Sequence, residues 1–318
     1  MTLEQLRIFI AVAEREHVTR AAEALGLTQS AASGAVAALE REFGTRLFHR
    51  VGRGIALTEA GHVFFAEARA ILNRAEQAAL TMREIAGLAR GRLAIKASQT
   101  IANHFLPLRL VAFHAAYPGI GLAVSIGNSA EVARAILEGD AELGFVEGPG
   151  ETLIQPLLAA EPIAQDRLVM VVAPDHPWAG RRGLRPAELA AGSWVLREDG
   201  SGTRAVLFEA LAGLGIDQAA VDVAIELPAN NSVLTAVSGG AGATILSELV
   251  CADALAAGKV VEVPVKLPRR TYFAVQHQDR TRTRAAAALL ALLREAPPPE
   301  GGHSCRRRAA IAATGGRP

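Results

Sequence analysis

Two sets of residues have the types and spacing needed for molecular recognition. The first is Thr28-Gln29-Ser30 with Ser33, followed by Arg41, Arg46, Arg50 and Arg53, four arginines in thirteen positions against Glu42 alone. Hydroxyl and amide side chains hydrogen-bond base edges, and guanidinium groups hold phosphates and so fix register. The second set lies at junctions where a predicted strand gives way to a helix: Ser98-Gln99-Thr100, Asn128-Ser129, Ser201-Gly202-Thr203-Arg204 and Asn230-Asn231-Ser232. Hydroxyls, free backbone N–H groups and a positive helix end suit an anion. Ser, Thr and Asn are also the usual helix caps, so each junction taken alone is better explained by capping. Arg204 adds charge there or braces the fold through a carboxylate. Glu147, closing the apolar run Leu143–Val146, opposes an anion if its carboxylate faces the cleft unpaired.

The elements that must position these residues fall into three zones. Leu3, Leu6, Phe9/Ile10 and Ala13 have helical spacing, a second short helix runs from about Val18 to Leu25, and a third from Gln29 to Phe43 ends at Gly44. On the third helix Ala32, Val36, Leu39 and Phe43 share one face, leaving Ser30, Ser33/Gly34, Ala37 and Arg41 opposite. Leu47–Thr58 reads as a short hairpin with a basic tip. This is the pattern of a winged helix-turn-helix, whose second helix enters the major groove. A small helical bundle with a solvated basic hairpin has the same spacing. Residues 1–91 hold eleven Arg and ten Glu, and the whole chain carries a net charge of +1, so any nucleic-acid contact depends on local placement of charge.

Residues 59–89 follow as one long helical pattern. Phe64/Phe65, Ala68, Ile71/Leu72, Ala75, Ala79 and Met82 or Ile85 recur at three- and four-residue steps. Such a stripe needs a partner; its own domain could serve, but antiparallel pairing with a second subunit is the favoured reading. From Arg92 apolar strands alternate with helices, as in a parallel-sheet α/β fold. The predicted strands are 92–98, 120–127, 143–146, 167–172, 193–196, 223–227, 243–245 and 271–276, with helices over 100–116, 129–139 and 280–293. Residues 295–318, rich in Pro, Gly and Arg, lack the apolar content to pack and read as a disordered tail.

Thr28–Ser33, Leu39-Glu40-Arg41-Glu42-Phe43-Gly44, Leu47-Phe48-His49-Arg50 and Leu57-Thr58-Glu59-Ala60-Gly61, in this order, resemble the DNA-binding domain of LysR-type transcriptional regulators. The resemblance extends to about residue 294. It implies an all-α winged helix-turn-helix over 1–58, a linker and dimerisation helix over 59–89, and an α/β, bilobed, periplasmic-binding-protein-like effector domain over 92–294. Lobe I would span about 92–161 and 265–294, and lobe II about 162–264. It further implies DNA contacts by Thr28, Gln29, Ser30, Ser33, Arg50 and Arg53. Many family members carry Arg after the serine matching Ser33, where Gly34 stands here. An effector site is implied at Ser98, Gln99, Thr100, Asn128, Glu147, Ser201, Gly202, Thr203 and Arg204.

Ala97–Asn103, Leu196–Arg204 and Leu143–Gly148 are similar to LysR regulators of sulfur assimilation, sulfite response and carbon fixation, with the last segment leaning to the sulfur and sulfite members. The expected effector is therefore a small oxyanion such as sulfite or sulfate, with an organic carboxylate or metabolite as the alternative. Expected partners are double-stranded DNA at an inverted repeat, a second copy or a tetramer of this chain, and RNA polymerase. Charged residues interrupt the N-terminal apolar pattern, and no apolar run reaches membrane length, so a cytoplasmic chain without a membrane partner is expected.

No cofactor, metal or catalytic residue is expected. Cys251 and Cys305 lack ligand spacing, the eight histidines form no HExxH, and Ser201 lies in no nucleophile elbow. Gly239-Gly240-Ala241-Gly242 precedes a strand instead of joining strand to helix, which suits a tight turn better than a dinucleotide loop.

Overall fold

The computed structural model of the protein describes residues 1–52, 54–85, 91–148 and 157–295. The expected tail, Arg53, the last residues of the predicted linker pattern and Cys305 lie outside them. The chain forms two compact units, one N-terminal and one from Arg90 onward.

In the N-terminal unit, α1 (Leu3–Arg15) begins with a capping box in which Thr2 and Gln5 exchange side-chain and backbone hydrogen bonds of 3.2 and 2.8 Å. Helix α2 (Val18–Ala24) is capped by His17, and α3 (Gln29–Phe43) by Thr28, whose hydroxyl accepts from the Ala31 N–H at 3.2 Å. Gly44 ends α3 in the left-handed conformation, φ 62°. Ile8, Ala11, Val12, Ala21, Ala22 and Ala32 pack the three helices together. Strands β1 (Phe48–Val51) and β2 (Gly54–Leu57) then pair antiparallel as a hairpin. Glu40 fastens it to α3 by accepting from the N–H groups of Leu47 and Phe48 at 2.8 and 3.3 Å.

Helix α4 (Glu59–Ile85) starts at Thr58, whose hydroxyl donates to the Arg46 carbonyl and accepts from the Gly61 N–H. Its apolar stripe is divided between two environments. Ala68 is buried with Leu6, Phe9, Leu39 and Leu47, and Phe64, Phe65 and Leu72 pack against that cluster. Further along, Ala79 and Met82 are exposed. The first half of the stripe thus serves its own domain, a division that periodicity alone does not show.

The second unit opens with β3 (Gly91–Ala97), a π-helical turn Ile101–Phe105 and α5 (Leu106–Ala116), followed by β4 (Ile120–Ile126), α6 (Ser129–Glu138) and β5 (Leu143–Glu147). Strand β6 (Leu158–Val172) is much longer than the predicted 167–172. Its first half pairs with β11 (Arg269–His277) across a register shift that skips Ile163, next to Pro162, which has no N–H to donate; this proline with Glu161 masked the strand in the sequence. Its second half runs into the other lobe, so the expected boundary at 161/162 falls inside one continuous strand.

Between β6 and β11 lie α7 (Pro186–Ala190), β7 (Ser193–Arg197), α8 (Gly202–Gly213), β8 (Asp222–Leu227), α9 (Asn230–Ser238), β9 (Thr244–Ser247), α10 (Glu248–Ala256) and β10 (Val261–Val263); α11 (Arg284–Glu295) closes the unit. The main sheet runs β10-β6-β11-β5-β3-β4, with β9 also paired to β6. Parallel pairing joins β3 to β4 and β5, while β11 and β6 pair antiparallel with their neighbours. One core, including Leu93, Ile95, Phe105, Phe113, Phe145 and Leu289, fills the first lobe. Two others, centred on Trp194 and on Val169 with Val233, fill the second.

Gly61 tests the fit of α4. A Cβ built there lies 2.1 Å from the Leu47 carbonyl oxygen, a backbone atom that cannot rotate away. Gly61→Ala is expected to cost about 2 kcal/mol through overpacking, despite alanine's better helix propensity. Hydrogen–deuterium exchange of the full chain should show lost protection in α1–α4 only.

Candidate functional site

On the N-terminal unit, Thr28, Gln29, Ser30, Ser33 and Arg50 are all exposed, and the structure puts the first four on the first turns of α3. Thr28 is committed to capping, and its hydroxyl also lies 3.1 Å from that of Ser30. Gln29 and Ser33 remain outward. Arg41 bonds its own helix at the Ala37 carbonyl, and Arg46 pairs with Glu40 at 3.3 Å, so two of the four clustered arginines are partly engaged. A Cβ at Gly34 would meet nothing within 4 Å. The departure from the family pattern is therefore a missing outward side chain on an open face, not a steric demand.

In the second unit, the strand ends and helix starts named above meet around one carboxylate. Glu147, at the end of β5, is 3% exposed. Its Oε1 accepts from the hydroxyl of Thr203 at 3.0 Å and of Thr100 at 3.4 Å, and its Oε2 accepts from Ser98. Arg270 Nη1 lies 3.5 Å from Oε1. The same guanidinium binds Asp166 through Nε at 3.0 Å and Nη2 at 2.5 Å, and Ser247 donates to the other oxygen of Asp166 at 2.9 Å. The register of β11 on β6 sets Arg270 opposite Asp166, and that of β11 on β5 sets Tyr272 opposite Glu147. Burial by itself lowers the Arg270 pKa, but Glu147 and Asp166 outweigh it and hold the guanidinium above its ordinary range.

A second layer of bonds ties this cluster across the lobes. Asn230 donates from Nδ2 to the Thr100 hydroxyl at 3.0 Å and from its backbone N–H to Gln99 Oε1 at 2.9 Å, and Gln99 Nε2 donates to the Pro228 carbonyl. Arg197, itself paired with Glu198, donates to Asn230 Oδ1 at 2.5 Å. Gly202 allows the closest approach: a Cβ there would lie 2.1 Å from the Glu147 carbonyl oxygen and 2.6 Å from Ser129 Oγ.

A cavity of about 340 Å³ opens beside this cluster between the starts of α6 and α8, lined by Ser129, Asp199, Ser201, Gly202, Arg204 and Phe208 among others. The nine expected effector residues are thus split. Ser201, Gly202 and Arg204 line the cavity, whereas Ser98, Thr100, Glu147 and Thr203 form the sealed cluster behind it, joined to the lobe contacts by Gln99. Asn128 caps α6 through a reciprocal exchange with Glu131. Arg204 is paired with Glu226 and donates to the Arg197 carbonyl at 3.0 Å, the bracing role left open by the sequence. Ser201 makes no capping hydrogen bond.

Arg270, Asp166 and Arg197 were not among the expected site residues, whereas Asn230 opens one of the four junctions named from the sequence. The first three lie inside or at the ends of strands, where no cap or turn marks them; charged residues bordering apolar runs were the only signal.

Two family models match the chain. One described as "Bacterial regulatory helix-turn-helix protein, lysR family" covers residues 3–62, and one described as "LysR substrate binding domain" covers residues 86–298. The uncharacterized HTH-type transcriptional regulator YeiE of Escherichia coli (strain K12) is 36% identical over 282 residues, 88% of this chain and 92% of that protein. The RuBisCO operon transcriptional regulator of Allochromatium vinosum is 34% identical over 247 residues, 78% of this chain and 80% of that one. The structure of full-length CbnR complexed with its target DNA superposes with a TM-score of 0.68 at 24% identity, covering 92% of this chain and 99% of that chain.

Two outcomes follow from the geometry. Arg270→Leu strands two buried carboxylates, so the second unit is expected to lose about 3–5 kcal/mol; urea unfolding read by the fluorescence of Trp178 and Trp194 measures it. Burial pushes the Cys251 thiol up to about 12, with Asp166, Glu262 and Glu248 adding to the shift. In a Cys305→Ser background, Ellman's reagent at neutral pH should therefore label Cys251 only after unfolding.

Proposed function

We propose that this chain, which belongs to the LysR family of DNA-binding transcriptional regulators, is switched by a small oxyanion of the sulfite or sulfate type. The observation that supports this reading is the convergence of three hydroxyls and a guanidinium on one buried carboxylate, donors that already hold an anionic group of the chain itself. Hydrogen-bond donors fixed in a low-dielectric pocket suit a compact anion, because their orientation is already set before the ligand arrives.

Gln29, Ser30 and Ser33 then read base edges from the start of α3, while Arg50 of the hairpin, and Arg53, hold phosphates. The exposed Ala79 and Met82 on α4 are available to a second copy of the chain. A symmetric dimer would set two reading heads about 34 Å apart, one turn of DNA, on an inverted repeat. Tetramer assembly and contact with RNA polymerase extend the same reading. Among the described residues no helix is long and apolar enough to cross a membrane.

A second reading is a small organic acid. It is favoured by the 340 Å³ cavity beside that cluster, roomier than sulfite requires, and by the similarity to a RuBisCO operon regulator. Under either reading, the effector acts by binding one arrangement of the lobes more tightly than another, which shifts the assembly that holds the reading heads.

Calorimetry on the full chain with sulfite, sulfate, thiosulfate and small carboxylates separates the two. Heat from an organic acid alone removes the oxyanion reading. Thr100→Ala should abolish the ligand response and leave the footprint beside the chain's own gene intact, whereas Ser33→Arg should alter the footprint and leave ligand binding intact. Loss of DNA binding in both variants would refute this division of labour.

A further inference from the structure

We propose that the C-terminal segment 306–313 docks in an apolar groove on the N-terminal unit, its arginines against Glu59 and Glu67 and its Ile311 against Phe43 and Val63. The groove holds about 510 Å³ where α3 ends and α4 begins, lined by Phe43, Thr45, Val63 and Phe64 together with the two carboxylates. Phe43 stacks on Phe64 with ring centroids 5.2 Å apart, yet it is 45% exposed, and Val63 is 64% exposed. Large apolar side chains left in water around one concavity mark a surface that another segment covers.

The charge of the groove narrows the occupant. Glu59 and Glu67 are exposed, and eight helical residues set them about 12 Å apart along α4. Neither carboxylate has an ion-pair partner among the described residues, whereas Glu40 and Glu42 close by are taken by Arg46 and by the N-terminal amine. A matching ligand is cationic at one end and apolar beyond it. Arg306-Arg307-Arg308-Ala309-Ala310-Ile311-Ala312-Ala313 has that order of side chains. Residues 296–318 hold four Arg against Glu300, and so more than account for the net charge of +1 on the chain. Ten residues separate Arg306 from the end of α11 at Glu295, a reach of up to about 35 Å.

A short segment suits a groove of this size better than a folded partner, whose stable interface covers roughly 1,600 Å². Exposed ion pairs contribute little one by one, so the contact depends on burying Ile311 and the alanines and on the tether. A segment joined to its site by a short linker meets it at an effective concentration in the millimolar range, and a weak contact then keeps the groove covered. Salt weakens the arginine share and spares the apolar share. None of this depends on the identity of the effector.

Cys305, beside Arg306, is a reporter already in the chain, because Cys251 is buried and its thiol titrates far above neutrality. The test adds one thiol to the full chain, by Thr45→Cys in the groove or by Thr19→Cys on the exposed surface of α2. Peptide mass spectrometry then measures how fast each links to Cys305 in a glutathione buffer. Taking the ratio of the two rates cancels the reactivity of Cys305 itself, which its neighbouring arginines alter. The groove thiol is expected to link faster by about tenfold or more. Arg306→Glu, Arg307→Glu and Arg308→Glu together should bring the ratio to near one, and adding Glu59→Arg and Glu67→Arg should restore it. The mass of the linked species tells whether the same chain or a neighbouring copy supplies the segment. Melting curves check folding; the arginine reversal alters no described residue and decides alone if the variant of α4 does not fold.

A wild-type ratio near one, or a ratio that the arginine reversal leaves unchanged, overturns the proposal. So does a disulfide between the Thr45→Cys thiols of two chains in place of the link to Cys305, which makes a second copy the occupant. Truncation after Glu295 that weakens binding to DNA of every sequence, with the ratio near one, assigns the arginines to phosphates and overturns it too.

Discussion

The sensor unit depends on the buried guanidinium of Arg270. Arg270 lies where β11 crosses from one lobe to the other, and the two carboxylates it faces come from different strands, Asp166 from β6 and Glu147 from β5. A buried ion cluster of this kind is weak evidence for stability, because the cost of desolvating three charges offsets much of their attraction. Its value is positional. Hydrophobic packing tolerates small slides between strands, but a guanidinium that binds one carboxylate through two nitrogens does not. The cluster therefore fixes the register at the crossing, and every hydroxyl that reaches Glu147 inherits its position from that register.

The N-terminal unit was legible because its determinants are local. Thr28 caps the helix it precedes, Gly44 takes the left-handed conformation one residue after α3 ends, and Glu40 reaches only seven and eight residues ahead to hold the hairpin. Each of these is a short-range rule that leaves a residue-type signature. The resemblance to LysR regulators condensed the same signatures into one ordered set.

The sensor was legible in outline and opaque at its centre. Strand ends and helix starts fell near their expected places, so Ser98, Thr100 and Thr203 were found. The ion pairs that hold Glu147 in place were not. Arg270 and Asp166 are separated by 104 residues, and their pairing follows from an antiparallel register that only the folded sheet defines. Pro162 concealed the first half of β6, since a proline and an adjacent glutamate argue against a strand unless a bulge receives them. Long-range register leaves no mark on residue order, and the chemistry of this site is a consequence of register.

The division of the α4 stripe bears on how the protein behaves when scarce. Phe64, Phe65, Ala68 and Leu72 complete a core that lies wholly within one chain. Folding of the reading head is then first order in protein and indifferent to dilution, unlike that of an obligate dimer, whose stability rises with protomer concentration. Pairing along the outer part of the helix, if it occurs as proposed, would be a separate equilibrium. At low copy number a cell would hold folded, solitary heads, each with half a recognition surface, and occupancy of a two-part DNA site would follow the square of their number.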